Sequence, residues 1–240
     1  MYFATYQIGD HDSCDIGILN QEKTKILPLK KIYDAFQERE DLGKCPQDMQ
    51  AFIEESDERL IRKLSALANR EEMRLDAVPL EDVKLCAPIP CPRRNIFCVG
   101  KNYLDHIQEI SDAFGDRPEV PVFFSKVAHP AIGHEDFIDS HPGVTAELDY
   151  EVELAVVIGK EGKNISKEEA QDYIFGYTIL NDVSARDLQR GHSQWYKGKS
   201  LDTFCPMGPF LVYKEAVPFP VHLDIESKIN GEVRQHSNTK

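Results

Sequence analysis

The sequence predicts a β-rich α+β protein. It divides into a small N-terminal α+β domain over residues 1–75, a proline-rich linker over 76–95 and a larger domain over 96–240. Three observations lead there. Short apolar or alternating runs recur along the chain: MYFATYQI, NIFCVG, PVFFSK, YEVELAVVIG and FGYTILND. A period of two, or an apolar run of strand length, marks a β-strand. Helical periodicity is confined to a few places, chiefly residues 46–69. Finally, Pro79, Pro88, Pro90 and Pro92 punctuate one stretch, and proline fixes its own φ and restricts the residue before it. Strands and helices do not alternate as in a doubly wound sheet, and neither GxGxxG nor a Walker sequence is present.

In chain order, MYFATYQI is the first strand. DIGILN, the turn-like NQEK and TKILPL read as a hairpin. Met49, Phe52, Ile53, Leu60, Ile61, Leu64 and Leu67 recur among charges at roughly helical spacing, which predicts one helix over 46–69 with a solvated outer face. The proline-rich stretch is a connector that hugs a sheet edge. Strands NIFCVG and PVFFSK then flank a predicted helix over 102–114. YEVELAVVIG is a longer strand. Ser166 and Glu169 form a potential capping box for a short helix over 166–173. FGYTILND is a strand ending in a polar turn, and residues 184–191 suit one or two helical turns. FCPMGPFLVY is a strand interrupted by Pro and Gly, and HLDIESKING runs into the hairpin dipeptide Asn230-Gly231.

Composition narrows the function classes. The hydrophobic fraction is 41%, the charged fraction 29% and the formal net charge −13. Basic residues are scattered rather than clustered, which argues against nucleic-acid binding. An acidic average still permits an anionic small substrate where local cations reverse the field. The N-terminus lacks the basic and apolar regions of a signal peptide, and no apolar run reaches membrane-spanning length, so a cytoplasmic protein without membrane contact is expected. The six cysteines are then reduced thiols. Cys86, Cys91 and Cys98 lack the CxxC spacing of a zinc knuckle.

Several residues are candidates for chemistry. Glu151 and Glu153 are two apart, so on a strand both project from one face. Two like charges on a buried face are costly unless a cation lies between them or one is protonated. Spacing alone leaves open a solvated strand end or a metal site. Asp182 ends a second apolar strand, where it is either a helix N-cap or a third ligand. Three carboxylates without His or Cys suit a hard cation, Mg²⁺ or Mn²⁺, better than zinc. His106 and Glu109 are neighbours at i and i+3 on a helix, either a surface pair or an imidazole oriented as a general base. Arg186, Gln189, Lys199 and Lys126 are candidate substrate contacts: Arg grips a carboxylate bidentately, and Lys offers a point charge to an oxyanion.

Taken together, CVGKNYLDHIQE (98–109), LDYEVELAVVIGK (148–160), FGYTILNDVSARDLQ (175–189), GKSLDTFCPMGP (198–209) and NGEVRQ (230–235) resemble the fumarylacetoacetate hydrolase family in order and separation. The resemblance is strongest to bacterial oxaloacetate decarboxylase and acylpyruvate hydrolase members. It implies a mixed β-sandwich roll, a homodimer, and Mg²⁺ or Mn²⁺ held by Glu151, Glu153 and Asp182. It also implies a catalytic set of His106, Glu109 and Lys199, with Arg186, Gln189 and Lys126 on the substrate. The implied substrate is a small 2-oxo acid or diacid, cleaved at C3–C4 through a metal-stabilised enolate by decarboxylation or hydrolysis. Two alternatives stand beside it. One is an isomerase or decarboxylase of ring-cleavage products of the 2-hydroxyhepta-2,4-diene-1,7-dioate type. The other is a metal-binding, non-catalytic interaction protein. The family continues after NGEVRQ with a helix, more strands and a loop near the substrate. Because this chain stops at Lys240, the C-terminal part of the family fold is expected to be missing and 96–240 to be incomplete.

Overall fold

The computed structural model of the chain describes residues 1–9, 13–102 and 119–240. The predicted helix over 102–114, with His106 and Glu109, lies outside the described residues. Two compact units form. One gathers residues 1–89, 155–178 and 208–217; the other gathers 90–154, 179–207 and 218–240. The stretch 96–240, read from the sequence as one domain, thus contributes to both units.

The first unit is built on a sheet. Strand β1 (Tyr2–Ile8) pairs antiparallel with β2 (Asp15–Leu19), and β2 with β3 (Lys25–Pro28), as the hairpin pattern predicts. Part of the expected linker joins this sheet: β4 (Val78–Pro79) pairs with β3 at the edge, and β5 (Val83–Leu85) pairs with β1. An edge strand accommodates Pro79, which has no N–H to give.

One helix of this unit is missing from the sequence expectations. In α1 (Leu29–Phe36), the buried residues Leu29, Ile32, Tyr33 and Phe36 follow an i, i+3, i+4, i+7 pattern. The single helix expected over 46–69 is two: α2 (Met49–Glu55) and α3 (Glu58–Ala68). Asp48 caps α2 by accepting from the Ala51 N–H at 2.8 Å, and Asp57 caps α3 by accepting from the Leu60 N–H at 2.7 Å. The break falls at Ser56, whose backbone is extended. Asp57 competes for backbone donors at that point and starts a new helix, while the apolar spacing on either side stays nearly in phase.

Further along the chain lie β6 (Ile96–Gly100), β7 (Val122–Lys126), β8 (Leu148–Asp149) and β9 (Val152–Ile158). The Ser166–Glu169 box forms, with the Ser166 hydroxyl donating to Glu169 Oε2 at 2.8 Å. It precedes only a 3₁₀ turn, Ala170–Tyr173, rather than the expected α-helix. Then follow β10 (Ile174–Asn181), β11 (Ser184–Ala185), α4 (Arg186–Gly191), α5 (Tyr196–Lys199) and β12 (Leu211–Tyr213). The last hairpin is β13 (Asp224–Ile229) and β14 (Glu232–Asn238), with both Asn230 and Gly231 at positive φ, as a two-residue type I′ turn requires.

The large sheet runs β4-β3-β2-β1-β12-β10-β9. In the first unit, α1, α2 and α3 cover it with one apolar core. Phe3, Phe52, Phe175 and Tyr213 pack ring against ring there, with centroids 4.9 to 6.0 Å apart. Gly176 is required by the approach of β12: a Cβ there would lie 2.2 Å from the Val212 carbonyl oxygen. In the second unit β6 pairs with β7, and β8 with β11. Among the described residues, no helix is long and apolar enough to cross a membrane. Replacing Asp57 with Ala removes the α3 cap and is expected to cost about 1 kcal/mol in chemical denaturation, with Asp57→Asn close to wild type.

Candidate functional site

The second unit brings most of the candidate residues together around a buried amine. Lys199 closes α5 and is 1% exposed. Its Nζ lies 2.5 Å from Glu151 Oε2 and 2.7 Å from Asp182 Oδ2. Glu151 sits in the two-residue gap between β8 and β9, and Asp182 directly follows β10. Lys126, the last residue of β7 and fully buried, faces Asp182 Oδ1 at 2.9 Å and donates to the carbonyls of Val183 and Lys199. Arg186 opens α4. It reaches Glu151 Oε1 at 2.6 Å, Asp149 Oδ2 at 2.7 Å, and Gln189 Oε1 at 3.0 Å. Lys126, Arg186 and Lys199 thus face Asp149, Glu151 and Asp182, a balanced set, with the partly buried Glu153 one step further along β9.

The geometry decides one alternative and adds to another. Asp182 is not a helix cap: α4 starts on Ala185, and the Asp182 carboxylate goes to the two lysines. Arg186, Gln189 and Lys126, the candidate substrate contacts, are joined in this geometry to the site's own groups, where the buried carboxylates of Glu151 and Asp182 demand counter-charge. Glu151 and Asp182 converge on one ammonium; among the described residues no three His, Cys, Asp or Glu side chains are drawn into one cluster. His106 and Glu109 lie outside the described residues.

Three participants escaped the sequence reading. Asp149 could have been found, since Asp149, Glu151 and Glu153 continue one period of two. Asn181 and Gln235 act through their carboxamides on the backbone at Glu151 and Val152, and no local pattern announces that.

Electrostatics follow from burial and pairing. Burial alone would raise the Asp182 pKa, but the Lys199 and Lys126 ammoniums outweigh it and hold the carboxyl below its ordinary value. Burial likewise opposes charge on Lys199, and Glu151 with Asp182 overcomes it, so its pKa rises and it remains an ammonium. Lys126 shifts the other way: burial outweighs the attraction of Asp182 and lowers its pKa. The opposite senses at the two lysines fit their surroundings, two carboxylates at Lys199 and one at Lys126. Nearby, burial pushes the Cys98 thiol up to about 12 and Cys205 to about 11, so neither is a thiolate at neutral pH.

The donor set suits a hard divalent cation. The candidate ligands Glu151, Glu153 and Asp182 are all carboxylates. Asp182 Oδ1 is buried, 2.9 Å from the Lys126 ammonium, and meets no hydrogen-bond partner of good geometry among the described residues. A lone pair in that position is open to a Lewis acid.

Fold and site together define an enzyme-type scaffold with a buried carboxylate–ammonium centre, and comparison supplies its class. Residues 95–240 match the C-terminal domain of fumarylacetoacetate (FAA) hydrolase, and the chain belongs to this family. It is 44% identical over 239 residues to oxaloacetate tautomerase YisK of Bacillus subtilis, covering 98% of this chain and 77% of that protein. It is 38% identical over 241 residues to the mitochondrial oxaloacetate tautomerase fahd2 of Xenopus laevis, covering 100% of this chain and 70% of that one. The solved fumarylacetoacetate hydrolase of Exiguobacterium antarcticum superposes with a TM-score of 0.74 at 34% identity, covering 99% of this chain and 75% of that one. The fold class read from the sequence, a β-rich α+β chain of this family, is borne out.

Replacing Lys199 with Met leaves Glu151 and Asp182 facing each other in a buried site. The expected loss at neutral pH is about 3–5 kcal/mol in chemical denaturation. The pH dependence has a definite sign. A depressed Asp182 pKa contributes stability above the unfolded value of about 3.9, lost as pH falls through the lower folded value. A raised Lys199 pKa contributes stability below about 10.4, lost as pH rises through the higher folded value. The deficit of Lys199→Met should therefore narrow toward about pH 4, as carboxylates without an ammonium take up protons.

Proposed function

We propose that this chain is a divalent-metal enzyme acting on small 2-oxo diacids, and that its reaction is keto–enol interconversion of oxaloacetate. The observation that carries the reading is the Lys199 ammonium held between the buried carboxylates of Glu151 and Asp182. Both relatives named above as oxaloacetate tautomerases support the choice of substrate. Glu151, Glu153 and Asp182 would hold Mg²⁺ or Mn²⁺, which when bound supplies Lewis acidity for a 2-oxo carboxylate.

The chain's own groups account for the rest. Lys199 stays charged and therefore serves as a fixed positive charge, not as a base. It offsets negative charge developing on the substrate's C2 oxygen as a proton leaves C3. Lys126 and Arg186 hold the carboxylates apart and in place. His106, oriented by Glu109, would take the C3 proton and return one to oxygen. A second reading, cleavage of C3–C4, rests on the same two residue types: an imidazole helped by a carboxylate could also activate water against a 4-oxo group, giving acylpyruvate hydrolysis. Loss of a C4 carboxylate as CO₂ needs only the shared enolate.

The test follows oxaloacetate by enol absorbance and by CO₂ release in the same vessel with saturating Mg²⁺. Enol equilibration faster than CO₂ release is expected for the tautomerase, and matched rates would favour decarboxylation. Glu151→Gln should abolish the metal-dependent rate; a variant that kept it would sink the metal assignment. Lys199→Met, where folded, is expected to lower kcat by roughly 10²–10³-fold.

A further inference from the structure

The Glu151 segment is unusual in how its backbone donors are used. Residues 150 and 151 lie between β8 and β9, outside both strands. Buried or partly buried N–H groups need acceptors, and here three consecutive ones find side chains instead of a ladder. Tyr150 N–H donates to Asp149 Oδ1 at 3.0 Å, Glu151 N–H to Asn181 Oδ1 at 3.0 Å, and Val152 N–H to Gln235 Oε1 at 3.0 Å. The Glu151 carbonyl in turn accepts from the Asp182 N–H at 2.8 Å.

The Gln235 carboxamide and the Asn181 backbone are themselves held. Gln235, on β14, accepts a second hydrogen bond from the Ser227 hydroxyl of β13 at 3.2 Å, and two donors facing one atom identify it as the oxygen. The Asn181 backbone N–H donates to the Pro206 carbonyl at 3.0 Å, and its carbonyl accepts from Val183 N–H at 2.9 Å. The peptide on each side of Glu151 is therefore tied to side chains from β10 and from the terminal hairpin.

We propose that Asn181 and Gln235 are positioning residues that set the Glu151–Glu153 carboxylates for cation binding, Asn181 through the Glu151 N–H and Gln235 through the Val152 N–H. This rests on those glutamates being cation ligands, as in the function proposed above. The hairpin β13–β14, which carries no candidate ligand, thereby takes part in the site. Removing either acceptor leaves a backbone N–H without its partner and frees the ligand-bearing segment to shift. Groups that orient ligands in this way typically affect metal affinity by about 10- to 100-fold.

The experiment titrates the 240-residue chain with Mn²⁺, following free Mn²⁺ by electron paramagnetic resonance, beside thermal unfolding without metal. Gln235→Met keeps the side-chain length without the acceptor, and Asn181→Leu does the same at the other site. Each is expected to weaken Mn²⁺ binding by about 10-fold or more, with a larger effect on affinity than its metal-free unfolding midpoint would account for. Gln235→Glu, which keeps an acceptor oxygen, is expected to bind within about threefold of wild type. Wild-type affinity in either folded acceptor-less variant overturns the proposal for that residue. If Gln235→Met does not fold, loss of binding in Gln235→Glu overturns the Gln235 assignment, and retained binding supports it. If the unaltered chain binds no Mn²⁺, the metal reading itself falls, an outcome distinct from failure of the variants alone.

Discussion

The second unit depends on one ammonium shared by two buried carboxylates. Lys199, Glu151 and Asp182 are each less than a tenth exposed, and taking such groups out of water costs several kcal/mol per ion before any pairing. One amine between two carboxylates recovers part of that by attraction, and the remainder comes from the surrounding charges. Lys126 faces the second oxygen of Asp182, and Arg186 faces the second oxygen of Glu151. Each carboxylate thus has a cation on both sides. Removing any one member leaves a neighbour with one counter-charge fewer, so the network specifies geometry as much as it contributes stability.

The elements that deliver these groups are short and individually weak. Asp182 follows β10, Glu151 precedes β9, Lys126 ends β7 and Lys199 ends α5, a helix of four residues. Glu151 and Asp182 stand just beyond strand ends, while Lys126 and Lys199 are the last residues of their elements. Their backbone groups are then taken up within the site: Asp182 N–H donates to the Glu151 carbonyl, and the Lys126 ammonium donates to the Lys199 carbonyl. The first unit is a contrast. Its core is aromatic and aliphatic, closed by α1, α2 and α3 on a sheet, and its charges are solvated helix faces such as Lys30–Asp34 and Arg62–Glu58.

Under the function proposed above, the same electrostatic arrangement would serve more than one related reaction. A site in which positive charge is fixed and carboxylates are held in register favours any step that places negative charge on a 2-oxo group. Which bond then changes would depend, in that proposal, on the base and on what stands at C4, not on the central network. The relatives named as oxaloacetate tautomerases and the solved fumarylacetoacetate hydrolase are similar to this chain, although their names describe different activities.

Much of this was legible in the chain itself. Alternation in MYFATYQI and FGYTILN located β1 and β10, and Asn230-Gly231 located the last turn, because side-chain direction and φ > 0 are local matters. The carboxylates Glu151 and Asp182 and the amine Lys199 were recognisable by type and by resemblance. Local periodicity failed where two signals competed: Asp57 divided one apparent helix into two, and α1 followed a strand so closely that its own period was masked. The partnership of charges was not legible. Arg186 and Lys126 looked like hands for a substrate, and only tertiary packing turned them onto Glu151, Asp149 and Asp182. Asn181 and Gln235 acquire their roles across 30 and 83 residues of sequence. The sequence by itself determined which charged groups the site contains and which elements carry them. The tertiary structure decided which charge meets which, because desolvation makes a buried charge seek the nearest counter-charge in space, and spatial neighbours are not neighbours along the chain.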